Sequence, residues 1–223
     1  LKPLAFIAAL LVALGLVLSA CGGDDDSSSE GAEETSSTDS PCESVDVPAP
    51  TEFDLDPPPT EPSAEDLVAV VDTTCGAFEI TLATKDNPMT TASFEYMAEN
   101  GVFDGSPFHR IIPNFVVQGG DPAGTGTGPG PGYTVDEPPP ADTSYTEGVV
   151  AMAKSPVEPP GRSASQFFVV TVPDAGLPPD YAVAGEVTEG FDVVEAIEAQ
   201  GNPDGSGDPL EPVIINSVTI EEG

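Results

Sequence analysis

From residue 67 onward the chain alternates short apolar runs with turn-forming clusters, and the period of each run predicts its element. LVAVVDTT at 67–74 is rich in β-branched residues and reads as a strand. Phe78, Ile80 and Leu82 alternate with Glu79 and Thr81, the period of a half-buried strand, and Cys75-Gly76 between the two runs reads as a hairpin turn. At 88–101 (PMTTASFEYMAENG) the spacing becomes helical. Phe94, Met97 and Ala98 share a face, Thr90 or Thr91 can cap the start, and Gly101 can stop the helix. Short strands are expected at 108–112, 115–118, 148–153, 166–171 and 182–187. A second helix is expected over 190–201 with Phe191, Val194 and Ile197 inward, and PVIINSVTI at 212–220 is a last strand. Many short strands with two separated helices predict a mainly β fold, a closed antiparallel barrel plugged at its ends by the helices.

The N-terminal third has another character. Lys2 is followed by an apolar run of about 15 residues, short for a membrane span and suited to a signal-peptide core. Ser19 and Ala20 then precede Cys21 and the polar stretch GGDDDSSSE. This ending resembles a bacterial lipoprotein processing site, which implies that residues 1–20 are a signal peptide and that Cys21 is lipidated and becomes the first residue. A plain secretory signal and an uncleaved anchor are the other readings. The chain opens on Leu rather than Met, as a non-standard start codon or a truncation leaves it. The expected location is extracytoplasmic, lipid-anchored to the bacterial cell membrane; two or more acyl chains hold a protein there firmly. Residues 21–66 are Ser, Thr, Asp, Glu and Pro with little to bury, an acidic tether ahead of a domain at 67–223.

Charge narrows the partners. There are 39 acidic residues against 5 Lys and Arg, for a formal net charge of -34. Phosphate neutralisation needs clustered cations, so nucleic acid is excluded. Fifteen acids and no Lys or Arg lie between Asp24 and Asp66. Cys42 and Cys75 are left after Cys21, and in an oxidising compartment two leftover thiols pair most simply as a disulfide. Free thiols or a metal site are the alternatives; with one His and no CxxC pattern, no metal site is expected.

Four stretches carry more information than composition: FDGSPFHRIIPNFVVQGGDPAGTGTGPGPGY (103–133), GVVAMAKS (148–155), SQFFVVT (165–171) and YAVAGEV (181–187). With them the chain resembles the cyclophilin-type peptidyl-prolyl cis-trans isomerases from about residue 68 to 220. The resemblance implies a closed eight-stranded barrel with two capping helices, a substrate groove on its outer face, and an enzyme without cofactor or metal. It places Arg110 at the catalytic arginine position, with Phe115 and Gln118 beside it. Val116, Phe168 and Leu177 should form the proline pocket, with Phe115. Gln166, with Gln118, should bond the substrate or orient Arg110. Ala153 and Lys154 should line the backbone-binding edge, and Tyr181 should close the pocket. His109 is expected to be structural, a rim side chain with a satisfied hydrogen bond.

This chain departs from many relatives at Val116 (Met is common), Lys154 (Asn), Tyr181 (His) and Gly176 (Trp). The Trp helps bind cyclosporin in the family, so weak drug sensitivity with surviving turnover is expected. Lys154 and Arg162 are expected to join Arg110 in a positive patch favouring acidic substrates. The expected partners are proline-containing peptides and unfolded exported proteins, met by a monomer.

Physics gives these residues matching tasks. The amide resists rotation by about 18–20 kcal/mol because nitrogen shares its lone pair with the carbonyl. In the twisted amide the nitrogen is pyramidal and regains that pair. A guanidinium aimed at it bonds the twisted state better than either planar one. An arginine paired with Asp121 or Asp104 is the bland alternative. The other functional readings are a non-catalytic module that holds proline segments, a phosphate cradle at GTGTGPGPG (124–132), and a hydrolase. The loop lacks the Gly-Lys-Ser/Thr ending of a phosphate cradle. No Ser or Cys has an evident His partner for hydrolysis.

Overall fold

The computed structural model describes residues 42–223. The expected signal peptide, lipidated Cys21 and the first part of the tether lie outside the described residues.

The first hairpin joins β1 (Leu67–Thr73) to β2 (Gly76–Leu82) in antiparallel register, Val71 opposite Phe78. Thr73 fixes the turn: its hydroxyl donates to the Gly76 carbonyl and accepts from the Cys75 N–H. The helix α1 (Pro88–Glu99) follows, then the short strands β3 (Arg110–Ile112), β4 (Val116–Gly119), β5 (Val135–Asp136), β6 (Val149–Met152), β7 (Arg162–Ser163) and β8 (Phe167–Val170). The chain ends with β9 (Val183–Glu189), helix α2 (Phe191–Glu198) and β10 (Ile215–Glu222). Eight strands make one curled antiparallel sheet in the order β10-β1-β2-β9-β6-β8-β4-β3, and β5 pairs with β7 apart from it. Those two strands were not expected. At two residues each, they are too short to show a period.

The sheet is open, where a closed barrel was expected. β3 and β10 are its two edges and do not pair as strands. At the seam Pro107 forms a single antiparallel bridge with Ile214 and, having no N–H, cannot extend it as a regular ladder. Individual backbone bonds span the gap instead. Gly105 N–H donates to the Ile215 carbonyl (2.8 Å), Ile215 N–H to that of Ser106 (2.9 Å), and Phe108 N–H to that of Val213 (2.9 Å).

Inside the curl, Phe94 and Phe103 stack at 4.8 Å, and the Phe167 ring meets Phe94, Phe103 and Phe108 edge-on. Helix α1 supplies Phe94 and Met97, and α2 supplies Val194 and Ile197, all completely buried. The cap of α1 differs from expectation. Pro88 opens the helix with no N–H to satisfy, and the next two amides, Met89 and Thr90, donate to the Glu137 carboxylate, at 3.2 and 2.7 Å. A distant acid at the positive end of the helix dipole therefore does what Thr90 or Thr91 was expected to do. Gly101, at φ +67°, ends the helix as expected.

Residues 42–66 contain no helix or strand, yet they are tied along the domain. Cys42 and Cys75 form a disulfide. The N–H groups of Glu43, Thr51 and Leu55 donate to the carbonyls of Thr74, Pro122 and Pro131, and Phe53 and Leu55 pack on the core. The 33-residue separation makes the disulfide worth about 3–4 kcal/mol by loop entropy.

Candidate active site

Strand alternation builds the site. In β3, Ile111 points inward, so Arg110 points out; in β4, Val117 points in, while Val116 and Gln118 point out. In β8, Phe167 belongs to the core, and Phe168 and Val170 to the outer face. The register brings these residues side by side. Arg110 is opposite Gln118, Gln118 opposite Phe168, and Phe168 opposite Ala151. Around them Val116, Tyr145, Ala151, Phe168 and Val170 form a second apolar cluster, outside the sheet.

On this cluster opens a cavity of about 440 Å³. Arg110, Phe115, Val116, Gln118, Ala153, Lys154, Phe168, Leu177 and Tyr181 line it, together with Pro156. Gln166 lines a second, adjoining cavity of about 520 Å³, which shares Gln118, Ala153, Lys154 and Pro156 with the first. All the residues expected at the site thus converge on one groove. Pro156 and Tyr145 were missed, because both lie in irregular loops where no period marks a direction.

The electrostatics single out Arg110. Lys85 pairs with Glu65 and Asp66, and Lys154 approaches Asp180 at 4.0 Å. Arg162 takes both oxygens of Asp136 at 2.7 Å. Among the described residues, Arg110 is the one Lys or Arg with no carboxylate within 4.0 Å. Neither Asp104 nor Asp121 pairs with it. Asp121 is completely buried, and its carboxylate accepts the N–H groups of Ala123, Thr125, Gly126 and Gly128. Those are amides a phosphate would need, so the cradle reading is displaced by the chain's own acid. Arg110 Nη1 donates to Gln118 Oε1 at 3.2 Å, and its guanidinium lies 5.8 Å from the Phe115 ring centre. Burial lowers its pKa from the ordinary value, while the guanidinium stays charged at neutral pH.

The expected positive patch does not form. Arg162 is absorbed by Asp136 on β5. The Lys154 ammonium, with its side chain 5% exposed, donates to the carbonyls of Ser155 (3.4 Å) and Glu158 (3.1 Å) and sits 5.6 Å from the Tyr181 ring centre. Tyr181 is held from the other side by Tyr145, whose hydroxyl donates to its carbonyl (2.7 Å) and accepts its N–H (2.9 Å). Burial raises the Tyr145 pKa and keeps that hydroxyl protonated.

His109 also departs from expectation. Both ring nitrogens are buried without a partner at hydrogen-bond distance. Burial, the largest influence, lowers its pKa, against the opposing pull of the Asp121 charge, the Pro107 carbonyl and Gln166. The ring is packed against Gly126, at φ +72°, where a Cβ would come within 2.9 Å of it.

Comparison with known proteins agrees with this geometry. The family model described as cyclophilin type peptidyl-prolyl cis-trans isomerase/CLD matches residues 68–220. Peptidyl-prolyl cis-trans isomerase B of Streptomyces anulatus is 37% identical over 176 residues, covering 71% of this chain and 98% of its own. Peptidyl-prolyl cis-trans isomerase ppi1 of Schizosaccharomyces pombe is 35% identical over 152 residues, covering 66% and 96%. The crystal structure of a cyclophilin type isomerase of Cryptosporidium parvum, in the presence of the dipeptide Ala-Pro, matches with a TM-score of 0.64 at 25% identity, covering 70% of this chain and 99% of that one.

Proposed function

Because the chain belongs to the cyclophilin-type peptidyl-prolyl cis-trans isomerases, we propose that it turns X-Pro bonds in exported proteins by setting Arg110 against the twisted amide. Enzymes of this class accelerate a rotation that otherwise takes tens to hundreds of seconds. The proline ring enters the apolar cavity formed by Phe115, Val116, Phe168 and Leu177. The Arg110 donors that Gln118 leaves open face the amide nitrogen as it becomes pyramidal. That bond is strongest in the twisted state, so it lowers the barrier rather than only tightening binding. Lowering it by about 7 kcal/mol gives roughly 10⁵-fold. Apolar walls strengthen the interaction by excluding water.

The observation that carries this reading is an arginine without a carboxylate partner, facing an apolar cavity. Cys21 carries the lipid anchor, and the enzyme works at the outer side of the membrane on proteins leaving the cell. The Cys42–Cys75 disulfide supports an oxidising location. The test is NMR exchange spectroscopy of an Ala-Pro tetrapeptide with the soluble chain from residue 40 onward and with Arg110→Ala. Faster cis-trans exchange with wild type, lost in the variant, is expected. Peptide shift changes without faster exchange would make the groove a binding module, and equal rates in both proteins would remove Arg110 from the mechanism.

A further inference from the structure

Residues 42–66 precede the stretch matched to the family and run as a strap around the domain. The Cys42–Cys75 disulfide and the bond from Glu43 N–H to the Thr74 carbonyl (2.7 Å) fix its first end. The bond from Ser63 N–H to Glu95 Oε2 (2.9 Å) fixes its other end on α1. Between these ends it meets the glycine-rich loop at both feet. Thr51 N–H donates to the Pro122 carbonyl at 3.0 Å, and Leu55 N–H to the Pro131 carbonyl at 2.8 Å. The Asp54 backbone lies so close to Gly132 that a Cβ there would come within 2.9 Å of it.

The crest of that loop belongs to the groove. Gly126, Thr127 and Gly128 wall the second cavity, which adjoins the proline cavity across Gln118, Ala153, Lys154 and Pro156. A loop so rich in glycine has much conformational freedom to lose. Asp121 gathers its amides from inside, while the strap holds its feet from outside.

We propose that the strap is a positioning part of the peptide site. Through the Thr51 and Leu55 amides it fixes the loop crest against the second cavity, and the Cys42–Cys75 disulfide keeps it in place. The inference rests on the groove taking proline peptides. It adds that the strap, through the loop, sets how firmly residues beyond the X-Pro pair are held in the second cavity. Opening the disulfide then alters the grip on long segments and spares the proline cavity.

The test compares two blocked peptides, Ala-Pro and Ala-Ala-Ala-Pro-Ala-Ala-Ala, by titration of the full chain in detergent. It uses oxidised wild type, the same protein reduced, Cys42→Ser, Thr51→Pro and Leu55→Pro. Each proline substitution removes one donated N–H. In the altered proteins the dissociation constant of the long peptide is expected to rise about five- to tenfold, while that of Ala-Pro changes less than about twofold. The Gly126 and Gly128 amides should also lose protection from hydrogen exchange. If a proline variant fails to fold, the reduced and Cys42→Ser proteins carry the test. Equal weakening of both peptides, or an unchanged long-peptide constant once the Leu55 amide has lost its protection, would overturn the proposal. If wild type binds neither peptide, the reading of the groove falls and this proposal with it. If wild type binds both and the variants show no difference between them, only the strap's part falls.

Discussion

Arg110 and Gln118 stand opposite each other in the β3–β4 ladder, and the arginine Nη1 donates to the glutamine Oε1 at 3.2 Å. Gln118 Nε2 in turn donates to Gln166 Oε1 at 3.0 Å. The relay fixes which end of the Gln118 amide faces the guanidinium, and so fixes the direction of the remaining Arg110 donors. Gln118→Leu keeps most of the volume and deletes the acceptor. Its kcat/KM in the exchange assay is expected to fall about 10- to 100-fold, since misplacing a reacting group by an ångström costs on that order. Gln166→Leu, one step further away, should lose less. A Gln118→Leu protein as active as wild type would show that the guanidinium finds its direction without the relay.

Lys154 binds two backbone carbonyls of the loop that carries Pro156, and its ammonium lies against Tyr181, so one side chain ties two walls of the proline cavity together. Lys154→Met keeps the stem and removes the charge. KM is expected to rise about three- to tenfold with kcat nearly unchanged, because the walls act on ground and transition states alike. Stability should fall by about 1–2 kcal/mol for the lost charge-assisted bonds, measured as a urea midpoint. A drop in kcat at unchanged KM would place Lys154 in the chemistry instead.

Tyr145 contributes one oxygen that serves both the N–H and the carbonyl of Tyr181. In Tyr145→Phe both groups lose their partner in a buried place, and a cost of about 1–3 kcal/mol in thermal or urea unfolding is expected. The Tyr181 ring, now held by packing on Phe168 at 5.4 Å, should show changed chemical shifts on peptide titration. Unchanged stability would mean that water takes over both bonds.

Much of this site was legible only through the family resemblance that FHRIIPNFVVQGGDP and its companion stretches carry. Strand alternation explains why it holds: Arg110, Val116, Gln118 and Phe168 occupy outward positions of three strands, and the register sets them side by side. Glu137, Tyr145 and Pro156 were not legible, because each acts from a loop whose path depends on what it packs against. Sheet closure was misjudged for a related reason. Counting eight strands says nothing about whether the two edge strands pair along their length, and here only a few bonds around residues 105–108 and 213–215 cross the seam. The strap shows the reverse case. Its composition reads as a tether, while one disulfide and a few donated amides hold it in place.

Gly176 leaves an open space beside Leu177: a Cβ built there meets nothing within 4 Å. The family resemblance sets Gly176 where a cyclosporin-holding Trp is expected, and the chain contains no Trp. Cyclosporin is expected to inhibit at least about tenfold more weakly than it inhibits a relative with that ring, since losing a central Trp from an interface costs on that order or more. Turnover of a short peptide should survive. Inhibition as tight as in such a relative would mean that another wall of the groove carries the drug.

His109 should make stability depend on pH in a definite direction. Burial lowers its pKa in the folded protein below the ordinary value of 6.5, an effect only partly offset by the Asp121 charge and reinforced by Arg110. With both nitrogens buried and unpartnered, the neutral ring is the form that the fold accommodates. As pH falls through about 6.5, the unfolded chain takes up a proton that the folded one refuses, so stability declines with falling pH until the folded pKa is reached. His109 is the single histidine of the chain, and His109→Phe therefore removes this contribution cleanly. Urea midpoints of wild type and variant between pH 7.5 and 5.5 should diverge, the wild type losing more on acidification. Parallel curves would mean that the imidazole finds a partner on protonation, most directly Asp121, whose charge favours the imidazolium.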